Sequence, residues 1–279
     1  MRYKIVIDSC GELLERWKKD TAVERASLTL TVDEEDIIDD ETFDQAYFLK
    51  RVAESPNCPK SSCPSPERYM EAFDCDAEHV YAVTLSAELS GSYNSAVLGK
   101  NLMLESHPDQ KIHVFNSRSA SIGETLIGIK IEECEARGME FEEIVEEVEA
   151  YIEKQNTFFV LENLETLRKN GRLSNLKAFV ASALKIKPVM GATPEGTIIQ
   201  LDQARGINKA LIKMVDHIVE KTTDSAEKIL AISHCNCRDR AEIVKDAILK
   251  RIPVKDVVLL DTAGVSSMYA NDGGIIVVI

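Results

Sequence analysis

The sequence predicts an α/β fold in two parts. Residues 1–155 read as an N-terminal, mostly parallel sheet with helices on both faces. Residues 156–279 read as a C-terminal mixed α/β part. Three observations carry this. Apolar runs of strand length alternate with amphipathic helical stretches through the first half, the pattern of a parallel sheet covered by helices. The pattern changes after Gln155, where short strands surround a Pro194-Glu195-Gly196 turn. The length, 279 residues, suits two ordinary domains of roughly 150 residues each.

In order, YKIVID is a strand and GELLERWKK a short helix. RASLTLTV alternates as a strand. TFDQAYFLKRVAE has helical spacing. NCPKSSCPSPERY is a loop that hands over to a helix at Pro66, with Ser65 as its N-cap. HVYAVTL, SYNSAVLGKNLMLES and KIHVFN give strand, helix, strand, and the helices SIGETLIGIKIEECEARG and FEEIVEEVEAYIEKQ close the first half. Beyond it come the strand TFFVL and ENLETLRKNGRLSNLKAFVASAL, helical on both sides of a Gly-Arg break. Two antiparallel strands follow, then the helix INKALIKMVDHIVEK, the strand KILAISH, the helix RDRAEIVKDAILKR and the strands VKDVVLL and GGIIVVI. The acidic run EFEEIVEEVEAYIEK is a solvated helix face.

Composition narrows function. Hydrophobic residues make up 44 % and charged residues 29 %, ordinary for a globular chain. Aromatics are sparse at 6 %, with one tryptophan, so the core must be aliphatic. The net charge of −14 argues against a broad nucleic-acid surface or an anionic membrane, both of which need clustered Lys and Arg. An anionic small molecule remains possible if backbone N–H groups or a few placed cations hold it locally. Seven irregularly spaced cysteines, with no secretory signal before the first strand, point to reduced thiols in a cytoplasm. No apolar run approaches the roughly 20 residues that span a bilayer.

In open α/β sheets, ligands sit beyond the carboxyl ends of strands. Four serine-rich loops stand there: IDSCGE, SSCPSPERY, LSAELSGSYN and FNSRSASIG. In LSGSYNSA, Ser90 is an expected N-cap, and Gly91 admits close approach to the N–H groups of the next helix, a site for a carboxylate or phosphate. Simple capping is the alternative reading. Ser61 and Ser62 stand just before the helix that Ser65 caps and turn toward the same region. Arg205 in QLDQARG is a candidate for neutralising a buried acid, and a surface ion pair is its alternative. Arg172 in KNGRLSN is a loop cation.

Signatures of catalysis are missing. G-x-S-x-G, the P-loop, G-x-G-x-x-G and H-E-x-x-H do not occur. His234 with Cys235 and Cys237 forms HCNC, but no second pair completes a zinc site, so no metal and no cofactor are expected. His79, His107, His113 and His217 read as incidental.

These stretches together resemble the DegV family of bacterial fatty-acid-binding proteins. The resemblance runs through IVIDS, KSSCPSPERY, LSAELSGSYNSA, FNSRSASIG, LETLRKNGRLS, IKPVM, QLDQARG and ISH, in that order. It implies a pocket between two α/β domains that takes a long-chain fatty acid. The carboxylate would lie at the hydroxyl-bearing loops, and some members present the acid to a fatty acid kinase. Ser61 and Ser62 match the family's Thr-Ser loop, with Ser in place of Thr. Ser90 and Gly91 match its Ser-Gly head-group loop. Gly171 and Arg172 match its Gly-Arg pair, which faces the kinase partner. The family's terminal His-x-Gly-Pro-Gly motif is absent; Tyr269-Ala270-Asn271-Asp272-Gly273-Gly274 stands there, with Tyr269 in the histidine's place. That departure bears on the kinase role more than on lipid binding.

Magnitudes favour the tail as the source of affinity. Burying about sixteen carbons at ~0.8 kcal/mol per CH₂ contributes on the order of 10 kcal/mol before ordering costs. A helix N-terminus adds roughly 0.3–2 kcal/mol for an anion. An aliphatic wall is expected from FVASALKIKPVM, with Phe179, Val180, Leu184, Ile186 and Val189. Two other functions remain open. A serine hydrolase or acyl transferase using Ser62 or Ser90 needs a base within reach, and His234 is the candidate. A module for a phosphorylated metabolite would lean on Arg68 and Arg118.

Overall fold

The computed structural model describes residues 1–173 and 185–279. In chain order its elements are β1 (Tyr3–Asp8), β2 (Val23–Ala26), β3 (Thr29–Val32), β4 (Glu35–Ile38), α1 (Gln45–Glu54), β5 (Lys60–Ser62), α2 (Pro66–Phe73), β6 (His79–Thr84), α3 (Ser92–Ser106), β7 (Lys111–Asn116), α4 (Ile122–Ala136) and α5 (Phe141–Glu153). There follow β8 (Thr157–Val160), α6 (Glu165–Lys169), β9 (Ile186–Ala192), β10 (Ile198–Arg205), α7 (Ile207–Lys221), β11 (Ile229–His234), α8 (Arg238–Leu249), β12 (Asp256–Asp261), α9 (Gly264–Ala270) and β13 (Ile275–Val278).

The first sheet is parallel throughout, in the order β2-β1-β6-β7. Its strands are buried on both faces, as parallel sheets require. On one face Val6, Val80, Ala82 and Val114 pack with Tyr69 and Phe73 of α2 and Ala96 and Met103 of α3. On the other, Ile5, Ile7, Tyr81 and Phe115 meet Ile122, Leu126 and Ile129 of α4, and Ile144 and Val148 of α5. The second sheet is mixed, in the order β10-β9-β8-β13-β11-β12. Residues of α7 and α8 cover one of its faces. The core around α4 also takes in Ala231 of β11 and Val278 of β13, so α4 lies between the two sheets.

Several expectations need correction. GELLERWKK forms only a one-turn 3₁₀ helix at Trp17–Lys19. Its chain is spent on burying Trp17 against α4, where a Cβ at Gly128 would lie 2.7 Å from the indole ring. RASLTLTV divides into β2 and β3. A three-stranded antiparallel sheet, β4-β3-β5, lies outside the predicted plan. So does α9. Its start is held from a distance: the Asp39 carboxylate accepts from the Gly264 and Val265 N–H groups, both at 2.8 Å. A Cβ at Gly264 would lie 2.6 Å from that carboxylate, so a side chain there excludes the contact.

Asp39 is fully buried. Asp39→Ala strands two buried N–H groups and is expected to cost about 2–4 kcal/mol, read as a lower urea midpoint with unchanged slope. A midpoint within error of wild type would show that α9 holds without this grip.

Candidate functional site

A narrow cavity of about 90 Å³ lies where the two sheets face each other across the loops. Leu85, Leu89 and Ala120 line it from the first half, and Phe159, Leu161, Leu167, Ile198, Val265 and Ile276 from the second. The sheet pleat explains the choice on β8 and β13: Phe159 and Ile276 point to the cavity side, while Phe158, Val160, Ile275 and Val277 point into the core under α7 and α8.

Serine and threonine also line it, but their hydroxyls are engaged. Ser119 Oγ and Thr157 Oγ1 bond each other at 2.7 Å. Ser121 Oγ donates to Glu12 at 2.8 Å, and Ser266 Oγ donates to the Cys10 carbonyl at 2.8 Å. Polar groups satisfied within the wall leave a surface that suits an alkyl chain.

Two larger polar side chains complete the lining. Tyr269 and Arg172 line it, the guanidinium carbon standing 5.8 Å over the phenol ring. Arg172 Nε donates to the Leu89 carbonyl at 3.1 Å. The Tyr269 hydroxyl is 3.4 Å from Ser61 Oγ. Burial pushes the Tyr269 phenol upward, with Ser61 and Arg172 opposing, so it stays a neutral hydrogen-bond donor. The loops are tied to each other here. Asn170 donates to the Pro59 carbonyl at 3.0 Å, docking the Gly171-Arg172 turn on the chain that leads to Ser61. A Cβ at Gly91 would lie 3.3 Å from Cys63 Sγ, which sets Gly91 beside the residue after Ser62.

Of the expected site residues, Tyr269 and Arg172 line the cavity, and Ser61 meets the Tyr269 hydroxyl from outside that lining. Ser62, Ser90 and Gly91 lie on the adjoining loops but do not themselves line it. Ser65 caps α2, accepting from the Arg68 N–H at 3.3 Å. The N-cap of α3 is Gly91 rather than Ser90, and no side chain caps it; Ser90 Oγ accepts from the Ser92 N–H at 3.2 Å, one residue further on. Arg205 stands apart: it is exposed at the end of edge strand β10, outside the cavity lining. Strand alternation turns Ala204 inward and Arg205 out.

The expected wall needs correction too. Ile186 is 37 % exposed, and Val189 packs under α7 on the opposite face of the second sheet. Phe179, Val180 and Leu184 lie outside the described residues. Leu85, Phe159, Leu161, Leu167 and Ile276 form the wall instead. His234 Nδ1 accepts from the Cys237 N–H at 3.3 Å and stands 3.4 Å from Asp261. Neither Ser62 nor Ser90 is hydrogen-bonded to a histidine among the described residues. No group of three or more His, Cys, Asp or Glu among them is arranged to hold a metal ion. No helix among them is long and apolar enough to cross a membrane.

Comparison with known proteins bears on the whole chain. A DegV domain-containing protein of Streptococcus pneumoniae is 35 % identical over 278 residues, 99 % of this chain and 98 % of the relative. A solved DegV-family structure from Ruminococcus gnavus, described with vaccenic acid, is 56 % identical with a TM-score of 0.97, covering 100 % of this chain and 99 % of its own. The Streptococcus pneumoniae fatty acid kinase (Fak) B3 protein, loaded with linoleic acid, is 34 % identical with a TM-score of 0.91, covering 100 % and 99 %. The family model described as "Uncharacterised protein, DegV family COG1307" matches residues 2–279, and the chain belongs to that family.

Proposed function

We propose that the chain binds a long-chain fatty acid without chemically altering it. The observation that carries this reading is the narrow, mainly apolar cavity between the two sheets, with Tyr269 and Arg172 in its lining. The acyl chain lies against Leu85, Phe159, Leu161, Leu167 and Ile276. The carboxylate lies toward Ser61, Tyr269 and Arg172, with Ser62, Ser90, Gly91 and the open start of α3 around it. Its solved relatives with vaccenic and linoleic acid support the ligand class. The boundary between the two parts falls at Gln155, so the acid is held between them.

Arg172 acts on the ligand rather than on a partner, because its guanidinium faces the Tyr269 ring and the cavity. The mouth formed by these loops is the face from which a fatty acid kinase would take the carboxylate. Tyr269 brings no charge to that mouth, so Arg172 is the cation that recognises the anion. Arg172→Ala is expected to weaken binding of the acid about tenfold, the worth of one charge-assisted hydrogen bond, while the corresponding fatty alcohol binds as before. Equal weakening of both would remove Arg172 from the head-group site.

Denaturing extraction of the purified protein followed by mass spectrometry tests the reading. A long-chain acid should come off at near one equivalent. Turnover of a chromogenic ester, abolished by Ser90→Ala, would instead establish the hydrolase.

A further inference from the structure

A second cluster of titratable groups lies behind the mouth. Asp8, at the end of β1, and Glu124, in the first turn of α4, are both fully buried. Their surroundings are opposite in kind. Asp8 Oδ1 accepts from the Cys10 N–H at 3.1 Å, and Oδ2 accepts from the Leu85 N–H at 3.0 Å and the Ser92 hydroxyl at 2.6 Å. Neither Glu124 oxygen meets any N–H or O–H donor among the described residues. Asp8 and the Cys10 thiol are the groups beside it, with Glu12 acting from further off. A buried carboxyl without donors cannot stay charged, whereas one that accepts three hydrogen bonds can. The pair therefore holds one proton. Glu124, the member without donors, carries it.

What Asp8 holds is the loop after β6. Leu85 opens that loop and Ser92 begins α3 after it, so one carboxylate grips both ends of Leu85–Ser92, with Ser90 and Gly91 between them. Ser92 Oγ also meets the Tyr69 hydroxyl at 2.7 Å, which extends the grip to α2, the helix after Ser61 and Ser62. Cys10, Leu85 and Leu89 line the cavity themselves. We propose that Asp8 is the positioning residue of the head-group end: through Ser92 and Leu85 it sets the Ser90-Gly91 loop against the Ser61-Ser62 loop. This rests on the fatty-acid reading above. Asp8 touches no ligand; it acts through the loop that does.

The role separates from plain stability in one respect. A positioning residue affects recognition of the carboxylate and leaves the tail alone. A charge acting through space works with the opposite sign, since removing a buried anion near the mouth would favour an anionic ligand.

The test compares a long-chain acid with its methyl ester on three proteins: wild type, Asp8→Asn and Ser92→Ala. Ser92→Ala removes only the hydroxyl, so it stands if Asp8→Asn does not fold. Wild type is expected to prefer the acid. Both variants are expected to weaken the acid about tenfold and leave the ester within twofold, so that the preference collapses. An acid-to-ester ratio equal to wild type in the folded variants, or a ratio that rises, overturns the positioning role. Wild type that binds neither ligand overturns the fatty-acid reading itself, which is a different result.

Discussion

Ala120→Phe should raise the dissociation constant for a long-chain acid at least 100-fold, while the protein still melts cooperatively within a few degrees of wild type. Ala120 lines the cavity just before α4, and the cavity leaves it partly exposed. A phenyl group there enters open space instead of packed core, so it avoids the roughly 1–3 kcal/mol of strain that enlarging a packed residue brings. It displaces the acyl chain directly. Excluding four or five methylenes at ~0.8 kcal/mol each removes about 3–4 kcal/mol, on the order of 10² to 10³ in affinity.

The thermal readout is equally specific. A ligand bound only by the native state raises the melting temperature, by roughly 2.7 kcal/mol of stabilisation at a hundred dissociation constants. Added fatty acid should lift wild type and leave Ala120→Phe unmoved. A variant that still binds the acid tightly would place the tail elsewhere and remove the cavity as the site. This has a larger effect than any head-group substitution because tail burial supplies most of the affinity, and the carboxylate contacts mainly set orientation.

Legibility in the sequence followed the range over which each signal acts. Strands and helices set by local periodicity were readable, as in YKIVID, SYNSAVLGKNLMLES and INKALIKMVDHIVEK. So was the Ser65 cap, because it bonds three residues on. The helix α9 was not. Its start depends on Asp39, 225 residues earlier, and the spacing within TAGVSSMYA shows no amphipathic face because six of its seven helical residues are buried. The loops that carry Ser61 and Arg172 were readable as loops, because Pro, Ser and Gly punctuate KSSCPSPERY and KNGRLSN. The cavity wall was not, because Leu85, Phe159, Leu167 and Ile276 come from four separate elements and loops, brought together only by sheet order. For Arg205 the signal is local: the alternation in LDQAR turns its side chain outward because Ala204 faces inward. Glu124 sits in GETLIG and reads locally as an ordinary acidic residue of a helix's first turn. Only the packing of β1 against α4 shows that it has no solvent and no donor.

That burial gives the second large effect. Glu124 is pushed well above the ordinary carboxyl range, first by burial and then by the charge of Asp8, with Glu12 adding to it. Cys10 also faces it, as a thiol that burial keeps protonated. In the unfolded chain Glu124 ionises near pH 4.3, and in the folded protein it stays neutral far above that. A raised native pKa means that its contribution to stability is complete below the unfolded value and is lost as the pH rises toward the folded one. Wild type should therefore lose about 1.4 kcal/mol of unfolding free energy per pH unit from this group alone. Glu124→Gln keeps the shape and the donor toward Asp8 and has no proton to lose. Its stability relative to wild type should climb as the pH rises above the unfolded carboxyl range. Glu12, which burial raises to about 7, supplies an internal contrast. Relative to wild type, Glu12→Gln should gain in the same direction but level off near pH 7, where native Glu12 itself ionises. Glu124→Gln should keep gaining beyond it. Urea midpoints for the three proteins between about pH 5 and 8 give all the slopes at once. Parallel curves for wild type and Glu124→Gln would mean that Glu124 carries its charge in the folded protein, and that Asp8 then stands beside a second buried anion with no proton between them.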